Sequence, residues 1–384
     1  MSSPFTRPPR TLLGPGPSAM SPAVLGSLAR PPIGYLDPEL WPLLERMRTR
    51  LRACFGTSAE FTIPLTGTGM IGMESAVGNL AGPSTHVLVG VNGFFGDRIA
   101  GMFARYGATV VRFEAEWGMP LDVADAKRAA ADMPRVDVLA IVHAETSTGV
   151  RNDLAPFGAF AREHDAIFLA DAVTSLGGMP VAMDTVAVDV CYSATQKCLG
   201  GPSGLAPIAV SDRARNRVCS SASPSWYSDW NLLAQYFDAP HTYHHTVPIS
   251  LYYALDAALG EIEAETLEAR FARHENAANL LLSLLSPLDI APFAHESARL
   301  PMLTTVRVPG WASDEAAVRG TLLNEFGIEI GGGLGHLKGR IWRIGTMGAS
   351  AQPQLIEMLA AALYQCMRRS SARPSSSRPD MANL

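Results

Sequence analysis

Cysteine is scarce in this chain of 384 residues, and the five cysteines are widely scattered along it. No Cys-x-x-Cys pair occurs, so we expect neither a disulfide framework nor a zinc site, and a reducing compartment is the natural expectation. The cysteines are Cys54, Cys191, Cys198, Cys219 and Cys366. Uninterrupted apolar runs of about 18 residues are also missing, which predicts no membrane span.

Neither positive nor negative charge is in large excess, because the formal net charge is only −5. No basic region is present that would attract nucleic acid or an anionic lipid surface. The first ten residues, MSSPFTRPPR, lack the apolar core of a signal peptide, and the final Met-Ala-Asn-Leu is not a peroxisomal address. We therefore expect a cytoplasmic protein.

Short apolar runs alternate with helical periodicity over the first two thirds of the chain. The runs predict strands at 87–91, 109–113, 136–142, 166–170 and 188–192, and the periodicity predicts helices at 71–80, 96–106 and 156–164. Near-continuous apolar strands separated by helices are typical of a mostly parallel sheet that is covered on both faces. The sequence therefore predicts an α/β protein.

Two long helices, at roughly 249–285, separate this region from a smaller α+β part with strands at 304–308 and 340–344. We predict an N-terminal arm at 1–20, a large domain at 21–265, a small domain at 266–369 and a disordered tail at 370–384. The last helix should begin near Pro353 and bury one face. That face carries Leu355, Met358, Leu359, Ala362, Leu363 and Cys366.

An acid and a lysine stand at two neighbouring predicted strand ends, where parallel sheets bind ligands. The strand 166–170 ends in Asp171, and the strand 188–192 leads into Lys197. A lysine amine can form an imine with the aldehyde of pyridoxal 5′-phosphate (PLP), and a carboxylate can keep the cofactor's pyridine nitrogen protonated. Taken alone, however, the pair fits a helix-capping Asp171 and a solvated Lys197 better.

Three further segments have a functional and a purely structural interpretation. The turn Thr66-Gly-Thr-Gly-Met70 precedes a helix and could bind phosphate, or it could be a plain tight turn. Arg343 lies in an apolar strand and could bind a substrate carboxylate, or form a structural ion pair. Thr246, in the run Tyr-His-His-Thr, could cap the next helix. The adjacent histidines do not have the spacing of two ligands on one helix face, so we predict no metal site.

Together these segments resemble the class V aminotransferases of the alanine–glyoxylate and serine–pyruvate group. The resemblance runs from Leu13-Gly-Pro-Gly-Pro17 to the last helix. It includes Gly67-Thr-Gly, His143-Ala-Glu-Thr-Ser-Thr-Gly149, Ala170-Asp-Ala-Val-Thr-Ser-Leu-Gly-Gly178, Ser193-Ala-Thr-Gln-Lys-Cys198, Tyr243-His-His-Thr246 and Trp342-Arg-Ile-Gly345. It implies a PLP-dependent transferase of fold type I, with a seven-stranded, mostly parallel sheet and a smaller C-terminal α+β domain.

The resemblance also implies a role for each matching residue. Lys197 and Asp171 are the expected catalytic residues, one bound to the cofactor aldehyde and the other beside the pyridine nitrogen. The other expected cofactor contacts are Thr68, Gly69, Met70 and Gln196 at the phosphate, Phe95 and Val173 on the ring, Thr146 at the ring oxygen, and Tyr243 and Thr246 from the neighbouring subunit of a homodimer. Arg343 and Tyr35 are the expected substrate contacts. Phe95 stands where many members have Trp, and Met70 where some have His.

The activity implied is transfer of an amino group from alanine or serine to glyoxylate or pyruvate. A ureidoglycine–glyoxylate aminotransferase is the alternative, because Gly200–Gly204 and Arg343–Gly348 resemble that branch, although it carries amides at the positions of Tyr35 and Tyr243. A PLP-dependent lyase or desulfurase lacks support, since the loop Gly331–Gly335 has no cysteine. The joint presence of Lys197, Asp171 and Arg343 argues against a non-catalytic binding protein.

Overall fold

The computed structural model describes residues 10–218 and 223–371. Its helices are α1 (Pro22–Ser27), α2 (Leu40–Phe55), α3 (Gly69–Leu80), α4 (Phe94–Arg105), α5 (Val123–Ala130), α6 (Ala155–Glu163), α7 (Asp212–Val218), α8 (Trp230–Phe237), α9 (Ile249–Glu265), α10 (Leu267–Leu285), α11 (Glu315–Glu325) and α12 (Pro353–Ser371). Its strands are β1 (Thr11–Leu12), β2 (Phe61–Thr66), β3 (His86–Val91), β4 (Thr109–Glu114), β5 (Val138–Val142), β6 (Ala144–Glu145), β7 (Val150–Arg151), β8 (Ile167–Asp171), β9 (Val190–Tyr192), β10 (Leu205–Val210), β11 (Leu303–Arg307), β12 (Ile328–Glu329), β13 (Gly331–Gly332) and β14 (Ile341–Gly345).

A seven-stranded sheet forms the centre of the molecule, with the strand order β2-β10-β9-β8-β5-β3-β4. The five strands β9, β8, β5, β3 and β4 are parallel to one another, and β10 runs antiparallel to both of its neighbours, β9 and β2. Strands β5, β8 and β9 are buried along their whole length, as expected for a sheet that is covered on both faces. The predicted fold class is confirmed.

The five predicted strands match β3, β4, β5, β8 and β9 to within two residues, whereas β2 and β10 were not predicted. Strand β5 begins at Val138 rather than at Val136, and α4 begins two residues before the predicted start at Gly96. The crossover connections bring the carboxyl ends of β5, β8 and β9 to one edge of the sheet, where the backbone N–H of His143 donates to the carbonyl of Asp171 at 2.9 Å. This edge is where the functional side chains gather.

A second, smaller sheet, in the order β11-β14-β13, packs with α10, α11 and α12 around its own hydrophobic core. The predicted boundary at 265/266 coincides with Thr266, between α9 and α10; the division into domains stays a prediction. The prediction for the last helix is wrong at Met358, which is 37 % exposed, because it faces away from this core. Helix α12 continues to Ser371, and residues 372–384 of the predicted tail lie outside the described chain.

The N-terminal arm, which the structure describes from residue 10, packs between the two sheets. Strand β1 pairs in parallel with β12, and the carbonyl of Leu13 accepts a hydrogen bond from the backbone of Gly345 at 2.8 Å. Ser18 then donates to the carbonyl of Gln196 through its backbone and to that of Lys197 through its hydroxyl, both at 2.8 Å. The arm thus connects the loop that carries Lys197 to the small sheet.

Within residues 10–218 and 223–371, no helix is long and apolar enough to cross a membrane. The same residues contain no group of three His, Cys, Asp or Glu side chains arranged to hold a metal ion.

Candidate active site

A cavity of about 170 Å³ lies at the carboxyl edge of the central sheet, between the ends of β5 and β8 and the start of α3. Nine of the eleven predicted cofactor contacts line it. They are Thr68, Gly69, Met70, Phe95, Thr146, Asp171, Val173, Gln196 and Lys197, with Met73, Val142 and Ala144 completing the lining. The structure therefore brings together residues that are far apart in the sequence.

Asp171 is the last residue of β8, and its side chain is held in place by two donors. Its Oδ1 accepts from the backbone of Val173 at 2.8 Å, and its Oδ2 accepts from the hydroxyl of Tyr192 at 2.7 Å. Burial raises the pKa of Asp171 to about 6, although both hydrogen bonds favour the ionised form. No helix begins here, so the capping interpretation of Asp171 is wrong.

Lys197 follows β9 at the same edge, and its Nζ donates to the backbone carbonyl of Pro15 in the N-terminal arm. Burial lowers the pKa of Lys197 to about 8, and the nearby charge of Arg343 acts in the same direction. A lowered pKa provides more of the neutral amine, which is the form that can attack an aldehyde. Lys197 is therefore not a solvated loop residue.

The start of α3 forms the opposite end of the cavity. The chain leaves β2 through Gly67, which has a φ of +136°, and Thr68 at the N-cap makes no side-chain hydrogen bond to the first turn. A Cβ on Gly69 would lie 3.1 Å from the Cβ of Ala194, so this turn packs closely against the loop of Lys197. Helix N-termini of this kind bind phosphate through their backbone N–H groups and dipole.

The chemistry of these side chains fits PLP. A lysine with a lowered pKa and a buried carboxylate can hold the two ends of the ring, and the α3 N-terminus can hold the phosphate. Gln196 also has a buried Oε1 without a hydrogen-bond partner. The hydroxyls of Thr146 and Thr174 lie 2.5 Å apart. Thr146 lines the cavity together with Phe95 and Val173, the two residues expected to contact the ring of the cofactor.

Arg343 projects from β14 of the small sheet and is 8 % exposed. Its Nε donates to the carbonyl of Gly332 at 2.7 Å, and burial lowers its pKa to about 10. No carboxylate in the described chain lies within 4 Å of its guanidinium, which excludes a structural ion pair among those residues. The two Nη groups remain available for a carboxylate.

Tyr35, Tyr243 and Thr246 lie away from this cavity within the chain. The rings of Tyr35 and Tyr243 are 5.1 Å apart, and Tyr35 and Thr246 line a separate cavity of about 350 Å³. Helix α9 has Pro248 at its N-cap, so the capping interpretation of Thr246 is wrong. The predicted contribution of Tyr243 and Thr246 to a neighbouring subunit stays a prediction.

Sequence reasoning assigned no role to four residues that complete the site. Tyr192 donates to Asp171, Pro15 accepts from Lys197, and a Cβ on Gly16 would lie only 2.5 Å from Lys197 Nζ. Glu145 is fully buried beside Thr146. Tyr192 acts from the interior of a strand, Pro15 through its backbone carbonyl, and Glu145 from the short strand β6, far in sequence from its partner. The available signal for Pro15 and Glu145 was their place inside the matching segments.

Comparisons with known proteins agree with this geometry. The family model described as Aminotransferase class-V matches residues 36–341. The (S)-ureidoglycine–glyoxylate transaminase of Bacillus subtilis is 34 % identical, with 95 % of this chain and 92 % of the relative covered. The alanine–glyoxylate aminotransferase of Oryctolagus cuniculus is also 34 % identical, with 96 % and 95 % covered.

A solved structure gives the same result. The crystal structure of an alanine–glyoxylate aminotransferase from Nostoc sp. matches with a TM-score of 0.93 and 40 % identity, covering 96 % of this chain and 98 % of the other. Cys198 and Cys366 are buried, so neither is the mobile loop cysteine that a desulfurase would need. The chain therefore belongs to the class V aminotransferases, which use PLP as their cofactor.

Proposed function

We propose that this enzyme transfers the amino group of alanine or serine to glyoxylate, or to pyruvate. The observation that carries the proposal is Arg343, a buried guanidinium with two free Nη groups close to Lys197. Such a group can bind one carboxylate bidentately. Among the described residues, Lys197 is the only cationic side chain that lines the cavity, whose other lining is largely apolar, and Arg343 stands outside this lining. These surroundings favour substrates with one carboxylate and a small uncharged side chain.

Each charged residue then has a distinct task. Arg343 holds the α-carboxylate and thereby orients the Cα–H bond toward Lys197. The amine of Lys197 can take the proton from Cα and then deliver a proton to the cofactor carbon that carried the aldehyde, acting first as base and then as acid. Asp171 keeps its charge beside the cofactor's ring nitrogen, since a neighbouring cation favours the carboxylate form. Bound PLP supplies the electron sink that stabilises the negative charge formed at Cα.

Transfer from ureidoglycine to glyoxylate is the second candidate, because relatives named for either activity match over nearly the whole chain. Both names include glyoxylate, which supports glyoxylate as the acceptor. The pair of Tyr35 and Tyr243 favours the alanine or serine donor. Two packed phenol rings present no amide that could recognise a ureido group through paired hydrogen bonds.

A matrix of amino donors against oxo-acid acceptors tests the proposal directly. Alanine, serine and (S)-ureidoglycine are each combined with glyoxylate and pyruvate, and kcat/KM is measured for each pair. We expect the highest values for alanine or serine with glyoxylate. A higher value for (S)-ureidoglycine than for both amino acids would reject the donor assignment, and no turnover with any pair would reject the proposed function.

Arg343 is tested by substitution. We expect Arg343→Ala to retain the PLP absorption spectrum while KM rises sharply for both donor and acceptor, because both carry the carboxylate. Arg343→Lys keeps the charge but loses the planar fork, so it should also be impaired. Arg319→Ala is the matched control, because this arginine adjoins Gly332 but is paired with Glu315 at 2.7 Å. Unchanged KM values in Arg343→Ala would place the carboxylate elsewhere.

We also propose a homodimer in which Tyr243 and Thr246 reach the cavity of the partner. Tyr243 is 54 % exposed, and Trp226 and Tyr227 add exposed aromatic surface. Exposed apolar surface of this kind is often covered by a partner. Sedimentation at falling protein concentration, with PLP absorbance followed in parallel, should show release of the cofactor as the dimer dissociates. A monomer that retained its PLP fully would contradict the shared site.

A further inference from the structure

The first turn of α4 has its capping groups supplied by a distant part of the chain. Its N-cap residue is Gly93, which has no side chain to accept hydrogen bonds. The backbone N–H of Phe94 donates to Ser147 Oγ at 2.9 Å. The N–H groups of Phe95 and Gly96 donate to Glu145 Oε2 at 3.0 and 3.2 Å. Helix termini leave such donors without intrahelical partners, so this segment completes the helix.

Glu145 is fully buried, and its carboxylate is used at both oxygens. While Oε2 accepts from the helix, Oε1 accepts from the backbone and hydroxyl of Ser147 at 3.0 and 2.6 Å. Glu145 forms no ion pair within 4 Å in the described ranges, so the groups that favour its ionised form are these four donors and the helix dipole. The pKa of Glu145 is raised overall, because the effect of burial outweighs the four hydrogen bonds that favour the ionised form.

The fit between this carboxylate and the helix start is close. A Cβ on Gly93 would lie 2.3 Å from Glu145 Cγ and 2.6 Å from Ser147 Oγ, so the site tolerates only glycine at the N-cap. Phe95 lies in the turn that is fixed in this way, and its ring lines the cavity. A small rotation of the first turn would therefore move the ring.

We propose that Glu145 is a positioning residue of the active site, which orients the Phe95 ring toward the cofactor by capping α4. The proposal rests on the function proposed above, in which Phe95 contacts the ring of PLP. Thr146 lies between the two capping residues and lines the same cavity. One three-residue segment thus places a hydroxyl and an aromatic ring relative to each other.

Glu145→Gln is the informative variant, because it keeps the shape and removes the charge. An amide offers only one accepting oxygen, so its NH₂ group must face either the two helix N–H donors or the donors of Ser147. We expect the PLP dissociation constant to rise about tenfold, as for the loss of one hydrogen bond to a charged group. The visible circular dichroism of the bound cofactor should change, because it reports the asymmetry of its surroundings.

A double-mutant cycle separates positioning from general destabilisation. If Glu145 acts through Phe95, then Glu145→Gln should weaken PLP binding by less than about twofold in a Phe95→Ala background. In a Val173→Ala background it should retain its full tenfold effect, because Val173 lines the cavity but does not contact the cap. Equal effects in both backgrounds, or an unchanged circular dichroism spectrum, would overturn the proposal.

Asp189→Asn is the matched control. Asp189 is also fully buried and accepts from the backbone of Phe168 at 3.0 Å, but it stands at the opposite edge of the sheet. The Asp189→Asn substitution should lower the melting temperature of the protein without changing its affinity for PLP. If Glu145→Gln fails to fold, Ser147→Ala replaces it, because it removes the hydroxyl that accepts from Phe94 and donates to Glu145 Oε1 but leaves the bonds from Phe95 and Gly96 to Glu145 in place. If the wild-type protein binds PLP and transaminates but the variants show no coupling between Glu145 and Phe95, this inference is rejected and the proposed function is not.

Discussion

Replacing Tyr192 by phenylalanine removes the hydroxyl that donates to Asp171 Oδ2 at 2.7 Å, and changes little else. The ring itself packs against Gly72, where a Cβ would already lie 3.1 Å from the Tyr192 side chain, so phenylalanine fills the same space. Burial raises the pKa of Tyr192 well above its usual range, which keeps the hydroxyl a donor at every accessible pH. The variant therefore isolates one hydrogen bond to a buried carboxylate.

The expected size follows from the energy of that bond. A hydrogen bond to a charged group contributes about 1.5–3 kcal/mol, and 1.36 kcal/mol corresponds to about one pKa unit. In the apoprotein, burial already raises the pKa of Asp171 to about 6. Without the hydroxyl the pKa of Asp171 should rise further, so that more of Asp171 is protonated near neutral pH.

Two titrations measure this effect. The PLP dissociation constant of the variant should exceed that of the wild type by about tenfold at pH 7, and the difference should narrow above pH 9, where Asp171 is ionised in both proteins. The acidic limb of the kcat/KM profile should move to higher pH. Tyr106→Phe is the matched control, because its hydroxyl donates to the carboxylate of Glu74 at 2.6 Å, outside the cavity. Identical pH profiles for Tyr192→Phe and wild type would refute the reasoning.

Three other predictions concern the same edge of the sheet. Borohydride should fix PLP on Lys197, and Lys197→Ala should lose turnover; a reduced adduct on another lysine would contradict this. Asp171→Asn should slow turnover by about 10²–10³. Because the pKa of Asp171 is raised from 3.8 to about 6, its contribution of about 3 kcal/mol to apoprotein stability is complete below pH 4 and is lost as the pH rises through 6. The free energy of unfolding of the Asp171→Asn apoprotein, measured by denaturation at several pH values, should not show this decrease as the pH rises. Gly16→Ala, with a φ of +116° and Lys197 Nζ 2.5 Å from the new Cβ, should impair PLP binding, whereas Gly101→Ala, which meets nothing within 4 Å, should not.

Five of the seven strands of the central sheet could be predicted, all except β2 and β10, because the apolar pattern of each strand can be read from a short stretch of sequence. Strands that are buried on both faces are nearly continuous in apolar residues, and the residues at their carboxyl ends, such as Asp171, can be identified without knowing the fold. Lys197 was placed in the same way, through the strand that precedes it. Met358 was placed wrongly because helical periodicity gives the spacing of a face but not its width.

The remaining parts of the site depend on contacts between distant segments. The carbonyl of Pro15 and the backbone of Gly16 meet Lys197 across 182 and 181 positions of sequence, and a carbonyl has no residue-specific signal. Tyr192 is one apolar-looking position within a buried strand until its hydroxyl is seen beside Asp171. The cap that Glu145 provides for α4 is also long-range, because it joins residues that are 50 positions apart.

The N-terminal arm has a consequence for the order in which the site can form during synthesis. Residues 13–18 are among the first to be made, yet they are held by Gln196 and Lys197 from mid-chain and by Gly345 near the end. A nascent chain therefore lacks the wall beside Lys197, and the strand that carries Arg343, until β14 has been translated. Domains generally fold as units as they emerge. Here the large sheet can be assembled early, while a complete binding site must wait for nearly the whole polypeptide.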